Sequence, residues 1–185
     1  MPRRRFVLRR ERVFVTAEGD GDRAFARWLG ELCDGQGLHL HLDVVVAGGG
    51  DARRVVEYAV EQRRRRNGFL ERDKVALVLL DADRVAEDRA AGRDPETVAG
   101  RGDLQLVYLT PNLEGLLVRL HPGYEARLLT PNEARRRLKQ LWPDYDKPAS
   151  AAALGRRFDL DDLRRVGAHD DGLRDVLIVL GLLPR

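Results

Sequence analysis

Apolar and polar positions along the chain alternate between two periods. Arg12 to Ala17 is rich in β-branched and aromatic residues and runs into Glu18-Gly19, which predicts a strand that ends there. Phe25, Trp28, Leu29, Leu32 and Cys33 then recur with the spacing of one helix face. Asp20 or Asp22 is the expected cap of that helix, and Gly35 its expected stop. Leu38 to Val46 reads as a second strand, and Gly48-Gly49-Gly50-Asp51 opens a helix with Val55, Val56, Ala59 and Val60 on one side. Lys74 to Leu80 is a third strand, apolar without interruption as in a parallel sheet covered on both faces. A polar stretch near residues 84–102 has room for one short helix, and Leu104 to Leu109 is a fourth strand.

Beyond the fourth strand the pattern turns helical. Thr110-Pro111 predicts a helix start with threonine as N-cap and proline in the first turn. Thr130-Pro131-Asn132-Glu133 has the spacing of a capping box, and Trp142-Pro143 closes that helix. Asp159 to Val166 and Asp171 to Leu180 are further helical segments. Strands alternating with helices imply an α/β fold with a parallel four-stranded sheet and right-handed crossovers. The expected organisation is an arm over residues 1–11, an α/β core over 12–121, and an α-helical extension over 122–185 packed on that core. A chain of 185 residues suits a single compact domain of ~100–200 residues.

Charge changes the picture in one place. Arginine supplies all but Lys74, Lys139 and Lys147 of the 33 basic residues. Residues 1–12 hold six arginines and one glutamate, a local +5, so the remainder is slightly acidic against a formal total of +3. Such an arm either meets nucleic acid or is a solvated tail. Placed before the first strand, it is expected to hold polymer phosphate away from the carboxyl ends of the strands. Arg63 to Arg66 and Arg135 to Arg137 are either solvated helix faces or contacts for a nucleic-acid backbone around an acidic cleft. The single cysteine forms no internal disulfide, the apolar runs are too short to cross a membrane, and no secretory leader is legible. A soluble cytoplasmic protein is expected.

Candidate chemistry gathers where the strands end. In an open parallel sheet ligands lie outside the carboxyl ends, at a switch in strand order. A sheet order of 2-1-3-4 makes the first and third strands neighbours. Glu18 follows the first, and Asp81 and Asp83 follow the third, where an extended chain would point both aspartates the same way. Three carboxylates around one cleft repel unless a cation joins them, and hard oxygen ligands favour Mg²⁺ or Mn²⁺. Asp22 is either an outer metal ligand or a helix cap. Glu114 sits beside the stripe Leu113, Leu116, Leu117 and Leu120, in a first turn where the helix dipole favours a carboxylate; its helix starts on the side of the sheet where the acids lie. His121, seven residues on, is either a phosphate or outer contact or a surface histidine. Gly48, Gly49 and Gly50 either offer backbone amides to a phosphate or make a plain tight turn. His39 and His41 read as strand packing or exposure.

These residues together resemble a family. Glu18 at the end of one apolar strand, with Asp81-Ala82-Asp83 closing a later one, resembles the TOPRIM domain, and the chain is similar to RloB-like proteins, bacterial TOPRIM proteins associated with phage defence. The match rests on Val13 to Asp22, on Val44 to Asp51, on Leu77 to Asp83 and on Leu109 to Leu117, with a looser likeness through Tyr145-Asp146-Lys147. The resemblance implies a TOPRIM/Rossmann-like three-layer fold and metal-dependent phosphodiester chemistry. It implies Glu18 as general acid or base and Asp81, Asp83 and Asp22 around Mg²⁺ or Mn²⁺. Glu114, Gly48, Gly49, Gly50 and His121 then support the site or bind substrate. Nucleic acid is the implied partner, no membrane is, and a homo-oligomer is compatible with it.

Two other classes compete. A catalytically degenerate module of the same type would bind nucleic acid or a partner protein. A haloacid-dehalogenase-like phosphatase shares the run Leu79-Leu80-Asp81-Ala82-Asp83, although that family carries it on the first strand, which leaves Glu18 without a role.

Overall fold

The structure, a computed structural model, describes residues 10–70 and 72–184. The arm over residues 1–11 therefore lies almost wholly outside the described residues. In chain order the elements are β1 (Glu11–Ala17), α1 (Asp20–Gly35), β2 (Leu40–Val46), α2 (Ala52–Phe69), β3 (Val75–Asp81), α3 (Ala82–Ala90), α4 (Glu96–Arg101) and β4 (Gln105–Leu109). They are followed by α5 (Leu113–Arg119), α6 (Pro131–Leu141), α7 (Ala151–Arg157), α8 (Leu160–Gly167) and α9 (Asp171–Val179).

Among the described residues the strands form a four-stranded, all-parallel sheet in the order β2-β1-β3-β4. The order matches the expected one. Helices cover both faces, giving a Rossmann-like three-layer α/β architecture. The alternation along each strand explains the layers, because successive side chains point to opposite faces. Val13, Val15, Leu77, Leu79, Val107 and Leu109 face a core shared with α1 and α5 to α9. Phe14, Val45, Ala76, Val78 and Leu80 face a second core under α2, α3 and α4.

The predicted face of α1 is buried through Phe25, Trp28, Leu29 and Cys33. Phe158, between α7 and α8, meets Trp28 with ring centroids 6.4 Å apart and Trp142 at 6.0 Å. The C-terminal extension thus shares the first core with the sheet. Arg119 fastens it from inside: its Nη1 donates to Asp170 Oδ2 at 2.6 Å and its Nε to the Glu125 carbonyl at 2.8 Å. Asp170 also caps α9 by accepting from the Leu173 N–H at 2.9 Å.

Several boundaries differ from expectation for identifiable reasons. The polar stretch before β4 holds two helices, α3 and α4, because Asp94 offers a fresh start by accepting from the Thr97 N–H and hydroxyl. Asn112, rather than Thr110, caps α5 by accepting from the Gly115 N–H at 3.0 Å. Gly19 stands at the N-cap of α1, with Asp22 in the first turn accepting the Gly19 N–H at 3.0 Å. α7, capped by Ser150, was missed: its Ala-rich sequence has strong helix propensity but too few large apolar residues to show a period. The Thr130–Glu133 capping box is present as read.

Candidate active site

The carboxyl ends of β1, β2, β3 and β4 lie along one edge of the sheet, since Ala17 pairs with Val46 and Asp81 with Leu109. Three short connections meet there. Glu18 follows β1, the glycine loop 48–50 follows β2, and Asp81 ends β3. Together with Asp22, Arg84, Leu113, Glu114 and Lys147 they line a cleft of about 450 Å³.

Local hydrogen bonds set each wall. The Gly49 N–H donates to the Glu18 carbonyl at 3.0 Å, and the Ala47 N–H to the Ala17 carbonyl at 3.0 Å, stitching the glycine loop to β1. Gly48 and Gly49 adopt φ of 82° and 85°, a left-handed backbone that glycine enters at no steric cost. The Leu113 N–H, at the start of α5, donates to Asp81 Oδ1 at 3.2 Å. The Asp83 N–H donates to the Pro111 carbonyl at 3.1 Å, so the two loops are knitted together. Gly115 makes this possible, because a Cβ there would stand 2.2 Å from Pro111 Cδ and 3.1 Å from the Thr110 carbonyl. Gly115→Ala is expected to cost about 1–3 kcal/mol of stability through overpacking, read as a lower urea midpoint. An unchanged midpoint would show that the loop yields freely.

The electrostatics of the cleft are those of crowded carboxylates. Glu18, Asp22 and Glu114 are 8%, 8% and 4% exposed. Burial, then the charges of Asp22, Glu18 and Asp83, push the Asp81 carboxyl up to about 8. Burial, then Glu18 and Glu114, push Asp22 up to about 6 against the opposing pull of the Gly19 N–H. Glu18 is raised by burial and by the charge of Asp83, while Arg84 and the Asp81 N–H pull it down. Arg84 Nη1 lies 3.4 Å from Glu18 Oε1, and the Lys147 ammonium pairs with Glu114. Tyr145 belongs to the same surroundings, its phenol pushed upward by burial and by the charges of Glu114 and Asp22.

Glu18, Asp22, Asp81, Glu114, Gly48 and Gly49 therefore lie together as the sequence suggested. Other expectations need correction. Asp83 is not among the residues lining the cleft: β3 ends at Asp81 and α3 begins at Ala82, so the chain turns helical between the two aspartates and they no longer share a strand face. Asp83 Oδ1 accepts the Arg84 N–H at 2.9 Å, and its charge still raises both Glu18 and Asp81. Gly50 is not among the cleft residues, and the Gly49 N–H is taken by the Glu18 carbonyl, which leaves the turn one amide fewer to offer a phosphate. His121 is elsewhere. It lines a separate cavity of about 630 Å³, its ring edge-on to Phe158 at 5.0 Å, with Nε2 accepting from Arg157 Nε at 3.2 Å. Arg63 and Arg66 are also away from the acids, bound to Asp73 and Asp43 near the amino ends of the strands. Arg84 and Lys147 were missed as site residues. The Tyr145-Asp146-Lys147 likeness was a weak pointer to one, and an arginine one place after the Asp-x-Asp carried no signal.

Among the described residues, no group of three or more His, Cys, Asp or Glu side chains closes around a common point as a metal shell would. The donor chemistry nevertheless fits a hard divalent cation. Glu18, Asp22 and Asp81 are oxygen donors in a buried setting, with Glu18 raising Asp22 and both of them raising Asp81, so positive charge placed among them is favoured. Comparison of the chain with family models, with curated proteins and with solved structures gives no match.

Proposed function

We propose that the chain is a Mg²⁺- or Mn²⁺-dependent nuclease of TOPRIM type that cleaves phosphodiester bonds of DNA or RNA in the cytoplasm, with phage defence as its setting. The observation that carries this is the meeting of Glu18, Asp22 and Asp81 in one cleft beyond the carboxyl ends of two adjacent central strands, each raised first by burial and then by nearby carboxylates. Asp81 and Asp22 would hold the cation. When bound, a divalent cation polarises a phosphoryl oxygen and neutralises its developing charge. Glu18 holds or moves the proton: its raised pKa brings it nearer to the neutral range in which a carboxyl can both take and give one. Arg84 at the rim can exchange Glu18 for a phosphate oxygen, since a guanidinium presents a fork of donors that suits either. Lys147 holds Glu114 and adds a second positive group at the mouth.

The test is cleavage of end-labelled single- and double-stranded DNA and RNA with Mg²⁺, Mn²⁺ or EDTA. Cation-dependent cleavage is expected, slowed at least ~10²-fold in Glu18→Gln. The pairing of Glu18 with Arg84 and of Glu114 with Lys147 favours a second reading, a module that binds nucleic acid or a partner protein without cutting. Strand binding with no cleavage under any cation would establish it over the first. Release of inorganic phosphate from small esters, with polymers intact, would point instead to a phosphatase.

A further inference from the structure

At the end of the domain opposite the acids, α2 finishes in Phe69, which is 91% exposed, and Leu70, 51% exposed. A fully exposed phenylalanine at a helix end is unusual here, because every other phenylalanine described is buried: Phe14, Phe25 and Phe158. Beside it is a cleft of about 610 Å³ lined by Arg63, Arg64, Asn67, Arg72, Asp73 and Lys74. Its wall is rigid. Arg63 meets Asp73 through Nε and Nη2 at 3.0 and 2.7 Å and also donates to the carbonyls of Gly102 and Asp103 at 2.7 and 2.6 Å. Arg64 and Arg72 are exposed, and neither has an acidic partner among the described residues. Lys74 shares its charge with Glu11, and Arg65 with Glu61. Asp103, exposed and 3.6 Å from Arg63, is an acid at the rim.

We propose that Phe69, with Arg64 and Arg72, is an anchor for single-stranded nucleic acid, Phe69 stacking on an unpaired base while the two guanidiniums hold flanking phosphates. The proposal rests on the acid cleft acting on nucleic acid. A single aromatic face is all that stacking on a base requires. A lipid surface would need a wide apolar helix face, and that face of α2, Val55, Val56 and Ala59, is already buried against the sheet. α2 links the two places. Its amino end follows the glycine loop of the acid cleft and its carboxyl end carries Phe69, and 18 residues span ~27 Å. At ~3.4 Å per stacked nucleotide a strand running from Phe69 to the acids covers about eight nucleotides.

The experiment is fluorescence anisotropy on the full chain in EDTA, where cation-dependent cleavage does not intervene, with labelled oligothymidylates of about twelve and about four nucleotides and a duplex of the longer length. Phe69→Ala is expected to weaken binding of the longer strand about tenfold, to leave the duplex unchanged, and to be rescued by Phe69→Trp. Arg64→Ala with Arg72→Ala should lower the salt slope by ~1.4, the value for two phosphates of a single strand. With Mn²⁺ present, Phe69→Ala should raise KM for the longer strand with kcat unchanged and leave the shorter one unaffected. Unchanged strand affinity in Phe69→Ala, or an equal loss for strand and duplex, overturns the anchor. Loss in that variant of co-sedimentation with phosphatidylserine vesicles, or of a dimer in ultracentrifugation, with strand binding intact, assigns Phe69 to lipid or to a second copy and also overturns it. Binding through Phe69 in a chain that cleaves nothing leaves the anchor standing and removes only the nuclease reading.

Discussion

Asp81→Asn is expected to abolish divalent-cation binding and to flatten the fall of stability with rising pH that the wild-type cleft imposes. The carboxyl of Asp81 is raised from 3.8 to about 8, so between those values the folded chain keeps a proton that the unfolded chain has released. The unfolded state then binds fewer protons, and stability falls as pH rises through that window. Below it both states are protonated, and above it both are ionised. A cation replaces the proton, so Mn²⁺ should raise the Tm of the wild type more at pH 8 than at pH 5. Scanning calorimetry of both proteins, with and without Mn²⁺, reads this directly. The wild-type-minus-variant curve should slope across the window, because the other shifted groups are common to both proteins and largely cancel in the difference. The variant should cleave nothing while being at least as stable as the wild type at pH 8, because the carboxylate repulsion is relieved. A Mn²⁺ shift of the same size in Asp81→Asn would show that this residue is not a ligand.

Asp43→Ala is expected to cost about 3–5 kcal/mol, the usual penalty for stranding a buried charge. Asp43, 8% exposed, accepts from Arg12 Nη1 at 3.0 Å and from Arg66 Nη1 at 2.6 Å. It thereby ties β1, β2 and the end of α2 together. Arg12, itself 8% exposed, keeps the side chain of Asn67 and lies 3.7 Å from Asp73, which places the loss toward the lower end of the range. Guanidinium unfolding of the full chain gives the number. A loss under about 1 kcal/mol, the scale of a surface pair, would show that Arg12 reaches water when Asp43 is gone.

The α/β class and the starts of α2, α6 and α8 were legible because they rest on local periods and caps, while the strand order was legible only through the order that such open parallel sheets adopt. Phe25, Trp28 and Leu29 mark a face, and Thr130 with Glu133 marks a start. The meeting of Glu18, Asp22 and Asp81 was legible for a different reason: strand order sets which loops are neighbours. What local reading lost was the conformation after β3. Asp81-Ala82-Asp83 is compatible with an extended turn or with an immediate helix, and the choice is made by Pro111 and Leu113 from a distant segment. The choice between the two readings of His121 was not legible for a similar reason, because a helix face does not say which neighbour it meets. Arg84 and Lys147 come from segments with no periodic signal, and only the folded chain brings them to the acids.

The tryptophans confer an optical asymmetry. Trp28 and Trp142 both lie in the core on the α1 side of the sheet, within one aromatic group that includes Phe158, and the core beneath α2 contains neither. Intrinsic emission is therefore a one-sided probe. It will shift when α7 and α8 lift from α1, and stay silent while α2 opens or the glycine loop rearranges. An unfolding transition followed by tryptophan fluorescence that runs ahead of, or behind, one followed by far-ultraviolet circular dichroism would separate the two layers of this protein without any added label.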